Sequence, residues 1–370
     1  MMEAELKQLA LKEGASLVGI CSAAILKDKD FSDPRYLLPG AQSVISIAIP
    51  MDGDLVKKYL SKKDYLSFCH EEGQITKRLK AVAEKVKTFL EQKGFQAINC
   101  DCNFNYRNVG AKGKTIVNSL EKLIELINKD LDPSSELTEK EKKTLHLLKK
   151  AILTGLRKTP MDLVPNISHR CVAEAAGIGR IGWSGNLVTE QYGARVLLNS
   201  IITTAKLTPD SPLASNPCLK CKLCEKSCQG GLFSRDEAQE ISIAGIEERI
   251  GKRHSYAYCI AICSGMAGQN KFKEWSTWSP FKLRNMDRLP LDESVVEYVQ
   301  NMFADAVEQG GEEAENVLRL VSNTYLGRND KPAEDFRPSC GFCQLVCGPT
   351  IQDKKESYKL ILNSGGVDSR

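Results

Sequence analysis

Four closely spaced cysteines constrain this chain more than any other feature of its sequence. They follow the pattern Cys218-x2-Cys221-x2-Cys224-x3-Cys228. In iron–sulfur proteins such a run directs three thiolates to one 4Fe–4S cluster and the fourth thiolate to a second cluster. Structural zinc sites use well-separated cysteine pairs instead. The spacing therefore predicts a segment that binds two 4Fe–4S clusters.

Two such clusters need eight thiolates, and a second cysteine group near the end of the chain supplies three more. This group is Cys340-x2-Cys343-x3-Cys347, which brings the total to seven. Either Cys259 or Cys263 can supply the eighth ligand. We expect one cluster to be held by Cys218, Cys221, Cys224 and Cys347, and the other by Cys228, Cys340, Cys343 and Cys259.

Length and composition exclude several classes of protein for this chain. The chain has 370 residues, enough for two domains, and its 14 cysteines are too sparse for a disulfide scaffold. Its net charge of +4 gives no global signal for nucleic-acid binding. The first residues contain no apolar signal segment, and no apolar run is long enough to span a membrane. We therefore expect a cytoplasmic protein with reduced thiols and no membrane partner.

Hydrophobic patterning predicts an α/β (α+β) protein. Short runs rich in Val and Ile predict buried strands, and helical periodicity predicts an opening helix and a longer second one. The expected strands are 16–21, 43–49, 95–100 and 195–204. The expected helices are 3–13 and 75–93, followed by a helical pair at about 116–156 that looks like an insertion. Thr138 and Glu141 form a capping-box signature within this pair.

The cysteine positions divide the chain into two predicted domains. The first covers 1–208 and carries none of the expected ligands. The second covers 209–370 and combines a bacterial ferredoxin-like double-cluster fold with a helical insertion at about 232–335. Within that insertion, 232–258 is expected to be mixed and helical.

A glycine-rich segment follows a short predicted helix at 172–176. Gly177-x-Gly179-x-x-Gly182 matches the dinucleotide-binding fingerprint, which requires a strand before it and a helix after it. Here a helical segment precedes the glycines, and Trp183-Ser184-Gly185 follows. The context therefore argues against a nicotinamide site and favours close approach of the backbone to a flat, bulky cofactor.

Several segments together resemble the superfamily of epoxyqueuosine reductases and reductive dehalogenases. In chain order they are SLVGIC, YLLPGAQSVISIAIPM, RCVAEAAGIGRIGWSGNLVTEQYGARVLLNSIITTAKLTPDSP, CLKCKLCEKSC and RPSCGFCQLVCGP. The resemblance covers most of the chain. It implies a nitroreductase-like domain that holds cobalamin and a ferredoxin-like domain that delivers electrons to it.

The function implied by this resemblance is a cobalamin-dependent reductase of an organic substrate, of a kind found in anaerobic metabolism. A low-potential donor such as ferredoxin or flavodoxin would reduce its clusters. One alternative is a non-catalytic electron carrier or a reductive activator of corrinoid proteins. A second alternative is an epoxyqueuosine reductase that acts on tRNA. The basic and aromatic segment 271–288 is compatible with RNA contact, but a lid or a packing role is favoured.

Two residues are candidates for donating a proton to a reduced substrate. Asp162 lies in Asp162-Leu163-Val164-Pro165, which is similar to an acid-donor element of epoxyqueuosine reductases, although it could equally cap the turn before Pro165. Tyr106 lies in a polar loop and has a simple packing role as its alternative. The candidate cofactor-binding residues are Gly177, Gly179, Arg180, Gly182, Trp183, Tyr192 and Arg195. For the two arginines, a solvated position is an equal alternative.

Overall fold

The computed structural model describes five long parts of the chain, namely 2–27, 31–100, 134–158, 165–254 and 341–365. It also describes the isolated positions 122, 125–126, 129, 259, 270, 274–278, 294, 297–298, 301 and 305. Both predicted acids, Asp162 and Tyr106, lie outside the described residues. The same is true of two predicted or alternative ligands, Cys340 and Cys263.

The described residues form a mixed α/β structure, which confirms the predicted class. Its helices are α1 (Met2–Lys12), α2 (Gly53–Leu60), α3 (Leu66–Gln92), α4 (Glu139–Lys158), α5 (His169–Ala175), α6 (Leu223–Lys226), α7 (Phe342–Leu345) and α8 (Ile351–Asn363). Its strands are β1 (Leu17–Ser22), β2 (Ser43–Pro50), β3 (Ala97–Asn99), β4 (Arg180–Ile181), β5 (Leu187–Val188), β6 (Val196–Thr203), β7 (Phe233–Ile243) and β8 (Ile246–Arg253). No described helix combines the length and apolar character needed to cross a membrane.

A four-stranded antiparallel sheet with the order β1-β2-β6-β3 forms the centre of the fold. Successive side chains of a strand point to opposite faces of a sheet. In β2, Ile45 and Ile47 pack in the same core as Leu79 of α3, whereas Val44 packs with Val172 of α5. Helices therefore cover both faces, which explains why β2 is an almost continuous apolar run.

The core on the α3 side extends into the cysteine-bearing segments. Trp278 is buried, and its Nε1 donates to the carbonyl of Tyr59 at 2.9 Å. The ring of Trp275 stacks on Phe342 of α7, with centroids 5.5 Å apart. These two tryptophans of the basic and aromatic segment thus have a packing role. Residues from both sides of the predicted boundary at 208/209 share this core, and the division into domains stays a prediction.

The expectation of mixed and helical structure at 232–258 is wrong, because β7 and β8 form an antiparallel hairpin there. Its two turn residues, Ala244 and Gly245, have φ values of 55° and 76°. Positive φ at both central positions is typical of the two-residue turns that match the twist of paired strands. The apolar alternation at Ile241 and Ile243 before this turn was the missed signal for a strand.

The capping box predicted for α4 is present. The backbone N–H of Thr138 donates to Glu141 Oε2 at 2.8 Å, and the backbone N–H of Glu141 donates to Thr138 Oγ1 at 3.3 Å. Two backbone donors that lack partners inside the helix are thereby satisfied. Helix α3 begins at Leu66, earlier than expected, because its first turns bury Phe68 against Tyr59.

Candidate metal centre

Four of the predicted ligands line one open pocket. Three of them come from the loop before α6 and from α6 itself, and the fourth follows α7. They are Cys218, Cys221, Cys224 and Cys347. The structure therefore brings Cys347, which lies far along the chain, beside the first cysteine group.

Left-handed backbone positions shape the ligand loop before α6. Lys220 and Lys222, which flank Cys221, have φ values of 49° and 56°. Such a conformation is uncommon for residues other than glycine. It turns the chain tightly enough for successive thiols to line one pocket, although the sequence carries no glycine to signal it.

A neighbouring turn, Gly182–Asn186, donates to the first group. The backbone N–H of Trp183 donates to Cys218 Sγ at 3.3 Å. A Cβ at Gly182 would lie 2.6 Å from Val188 Cγ2 and 3.2 Å from Cys218 Sγ. The close approach of this turn to the thiol therefore requires a glycine.

Three further predicted ligands form a second group, and polar donors contact each of their sulfur atoms. The backbone N–H of Leu232 donates to Cys228 Sγ at 3.4 Å, and Asn186 Nδ2 donates to Cys343 Sγ at 3.5 Å. Arg253 Nη1 lies 3.8 Å from Cys259 Sγ. Cys228, Cys259 and Cys343 are close enough to affect one another's ionisation. Cys259 is thus the described candidate for the eighth ligand.

Burial dominates the electrostatics of these thiols. Desolvation raises the pKa of Cys228 to about 12 and the pKa of Cys347 to about 11. It also raises the pKa of Cys224 and Cys343. Each of these thiols is therefore protonated near neutral pH without a metal. Because only the thiolate binds a metal, loading the site must release protons.

Within the described ranges, no group of three or more His, Cys, Asp or Glu side chains is arranged to hold a metal ion. A single zinc ion needs all of its thiolates within about 2.3 Å of one point. A 4Fe–4S cluster has four thiolates as ligands, one for each iron, and accepts them around a larger body.

A buried arginine positions Cys347. Arg195 is 4% exposed; its Nε donates to the carbonyl of Leu345 at 2.7 Å and its Nη1 lies 2.8 Å from Asp353 Oδ2. The backbone N–H of Ala194 donates to the carbonyl of Cys347 at 2.7 Å. β6 and the residues before it are thereby joined to the ligand loop after α7.

The residues predicted to bind a corrinoid contact this chain's own atoms instead. A Cβ at Gly177 would lie 2.4 Å from the carbonyl oxygen of Ser211, and one at Gly179 would lie 2.5 Å from that of Val188. The space beside these glycines is therefore filled by protein backbone. Tyr192 lies in the loop before β6, where its backbone N–H donates to Thr189 Oγ1 at 3.1 Å. The cofactor-binding role of this set stays a prediction.

Arg180 and Trp183 also have partners within the chain. Arg180 forms an ion pair with Glu248 of β8 at 2.5 Å and donates to the carbonyl of Leu213 at 2.7 Å. Trp183 Nε1 donates to Glu225 Oε2 of α6 at 2.8 Å. These contacts attach the glycine-rich segment to the hairpin and to the ligand loop, a structural role that the sequence did not indicate.

Two buried residues beside the thiols were missed. Lys354 is 2% exposed and lines the pocket of the first group. Its spacing from buried Ser357 and Ile361 on α8 was an available signal, because residues three and seven apart share a helix face. Gln229 directly follows Cys228 and is fully buried, with no hydrogen-bond partner for its amide in the described part of the chain.

Comparisons with curated proteins find relatives that are named epoxyqueuosine reductase. The chain is 39% identical over 79 residues to an epoxyqueuosine reductase of Listeria monocytogenes, a match that covers 21% of each protein. It is 43% identical over 68 residues to an epoxyqueuosine reductase of a Synechococcus species, covering 18% of this chain and 21% of the relative. The matches thus span about a fifth of the relatives' length. They confirm the predicted resemblance. No family model matches the chain.

Comparison with solved structures finds an epoxyqueuosine reductase and a reductive dehalogenase at low similarity. An epoxyqueuosine reductase crystallised with a modified tRNA stem loop has a TM-score of 0.41 and 14% identity, with 98% of both chains covered. A catabolic reductive dehalogenase has a TM-score of 0.43 and 14% identity, with 84% of this chain and 37% of that chain covered.

Proposed function

We propose that this chain is an iron–sulfur oxidoreductase that holds two 4Fe–4S clusters in a ferredoxin-like part and delivers electrons to an organic substrate. The gathering of seven predicted ligands into two neighbouring groups carries the proposal. The first cluster would be bound by Cys218, Cys221, Cys224 and Cys347. The second would be bound by Cys228, Cys259, Cys343 and Cys340, of which Cys340 lies outside the described residues.

The surroundings of the thiols fit such clusters. Thiolate ligands are strong acceptors, and N–H groups aimed at sulfur influence a cluster's potential. Trp183, Leu232 and Asn186 supply such N–H groups. The amide of Gln229 is buried without a partner, and a buried polar group normally has one. A sulfur-rich group beside Cys228 would offer an acceptor to this amide.

Bound clusters would supply one-electron transfer at low potential. The protein's part is to provide eight thiolates, to exclude water from the inner sulfur atoms and to balance charge. Cys224 lies on the buried side of the first group, whereas Cys218 and Cys221 are half-buried. An electron donor such as ferredoxin or flavodoxin would approach from the exposed side of this loop.

Cobalamin is the predicted electron acceptor and stays a prediction. The described glycines and arginines predicted to bind it also contact other parts of the chain. Asp162 and Tyr106 are proposed as proton donors to the substrate on sequence grounds alone.

Metal analysis of anaerobically purified protein tests the proposal. We expect about eight iron and eight sulfide per chain, with the spectrum of 4Fe–4S clusters. Cys221→Ala should lower the iron content, whereas Cys171→Ala should not, because Cys171 packs in a separate apolar cluster with Ala48 and Val196. Zinc in place of iron, or equal iron loss in both variants, would overturn the assignment. Cobalt retained stoichiometrically after gel filtration with hydroxocobalamin would support a corrinoid site.

Epoxyqueuosine reduction is the specific activity that the names of the curated relatives favour. The substrate would then be a modified tRNA, and deletion of the gene would remove queuosine from tRNA. Unchanged queuosine would exclude this activity and leave the general oxidoreductase proposal intact. A loaded protein that reduces no substrate would instead support a pure electron carrier or a reductive activator of corrinoid proteins.

A further inference from the structure

Lys354 is a buried cation beside the first thiol group with no established role. It lies on α8, four residues after Gly-Pro-Thr at 348–350, and is 2% exposed. It lines the same pocket as the four thiols of the first group. The carboxylate of the adjacent Asp353 is paired with Arg195 and Lys57. Among the residues that the structure describes, the Lys354 ammonium has no ion pair.

A buried ammonium without a counter-charge is costly, because burial removes its hydration. The pocket around Lys354 is lined by the four thiols of the first group and by a second cation, Lys222, whose ammonium lies 4.8 Å from the centroid of the Trp183 ring. The arrangement thus places a positive charge where negative charge would arrive together with a metal cluster.

We propose that Lys354 is the electrostatic partner of the cluster held by Cys218, Cys221, Cys224 and Cys347 and raises its reduction potential. The inference rests on the proposed function. A 4Fe–4S cluster with four thiolates is anionic, and accepting one electron adds one negative charge. A nearby cation stabilises the reduced form more than the oxidised form, and net charge is one of the quantities that set cluster potentials.

The second thiol group has different cations. Arg253 contacts Cys259 Sγ, and Arg170 acts on the ionisation of Cys343. Lys354 lines the pocket of the first group, and none of the three described thiols of the second group lines that pocket. Loss of Lys354 should therefore affect the potential of one cluster and leave the other unchanged.

Potentiometric titration of the iron-loaded protein, followed by electron paramagnetic resonance, tests the proposal. In Lys354→Met we expect the ratio of reduced to oxidised form of one cluster to fall about tenfold at its wild-type midpoint, equivalent to about 59 mV for one electron. Lys354→Arg should retain the wild-type value because it keeps the charge. Lys355→Met is the matched control, since Lys355 is the exposed neighbour on α8.

Two results would overturn the proposal. They are unchanged potentials in Lys354→Met with full iron content, and an equal shift in Lys355→Met. If Lys354→Met binds one cluster fewer while Lys354→Arg and Lys355→Met bind both clusters, the result supports the need for a positive charge at this position. Failure of the proposed function itself is recognised separately, because the wild-type protein would then contain no cluster signals to titrate.

Discussion

Replacement of Arg195 by methionine tests how the chain positions Cys347. The guanidinium is buried and contacts Asp353, the carbonyl of Leu345 and Ser357 Oγ, the last at 2.6 Å. Removing one member of a buried ion pair costs about 3–5 kcal/mol, because the other member keeps an uncompensated charge. Lys57 lies 3.4 Å from the Asp353 carboxylate and compensates part of that charge. We therefore expect Arg195→Met to lower the free energy of unfolding by about 3 kcal/mol, the lower end of this range.

Urea denaturation of the iron-loaded protein, followed by circular dichroism under anaerobic conditions, measures this loss. With an unchanged slope, reduced stability appears as a lower denaturation midpoint. Iron release to a chelator should also become faster, because Arg195 holds the carbonyl of Leu345 close to Cys347. Arg195→Lys should lie between the wild type and Arg195→Met, since lysine keeps the charge but not the planar set of donors.

An exposed ion pair provides the control for this experiment. Lys252 and Glu237 pair across the β7–β8 hairpin with both side chains more than half exposed. Exposed pairs contribute little to stability, so Lys252→Met should leave the midpoint and the iron release unchanged. A change below about 0.5 kcal/mol in Arg195→Met, the range of ordinary surface substitutions, would refute the reasoning.

Three further predictions concern the surroundings of the thiols. Burial raises the pKa of fully buried Glu174 from 4.5 to about 7, so between these pH values the folded state binds a proton that the unfolded state releases. The free energy of unfolding should therefore fall by about 3 kcal/mol as the pH rises from 4.5 to about 7. Glu174→Gln should flatten this pH dependence, measured by thermal unfolding. Gln229→Leu should stabilise iron-free protein by about 1–3 kcal/mol in urea denaturation by removing an unpaired buried amide, with no such gain in loaded protein. Gly182→Ala should lower the iron content by displacing Cys218, whereas Gly53→Ala, with open space at its Cβ, should leave it unchanged.

Local patterns accounted for most of the central sheet and for one thiol group. β1, β2 and β6 coincide closely with three predicted strands, since a continuous apolar run is the expected pattern of a strand covered on both faces. The sequence also predicted that Cys347 would join Cys218, and both line one pocket. Cysteine spacing is informative here because the thiolates that a cluster needs limit how the cysteines can be grouped, whatever path the chain takes between them.

Long-range polar partners could not be predicted from the sequence. Arg180 was expected to face solvent or a cofactor, but it pairs with Glu248 on a hairpin in a segment that was expected to be mixed and helical. The partner of Arg195 lies on α8, whose position depends on the tertiary fold. The sequence around a charged residue does not indicate which distant residue will pair with it. The partner of Arg180 lies on β8, a strand that the sequence analysis did not predict.

The turn Gly182–Asn186 explains why a glycine-rich segment stands beside the cysteines. Its Trp183 N–H donates to a thiol of the first group, and its Asn186 side chain donates to Cys343 of the second group. The carbonyl of Ser184 accepts from Arg253, which also contacts Cys259. One short turn therefore contacts both thiol groups, and backbone that must lie between two such groups has little room for side chains. The glycines of the apparent dinucleotide fingerprint allow this close approach, because a Cβ at Gly177, Gly179 or Gly182 would collide with other protein atoms.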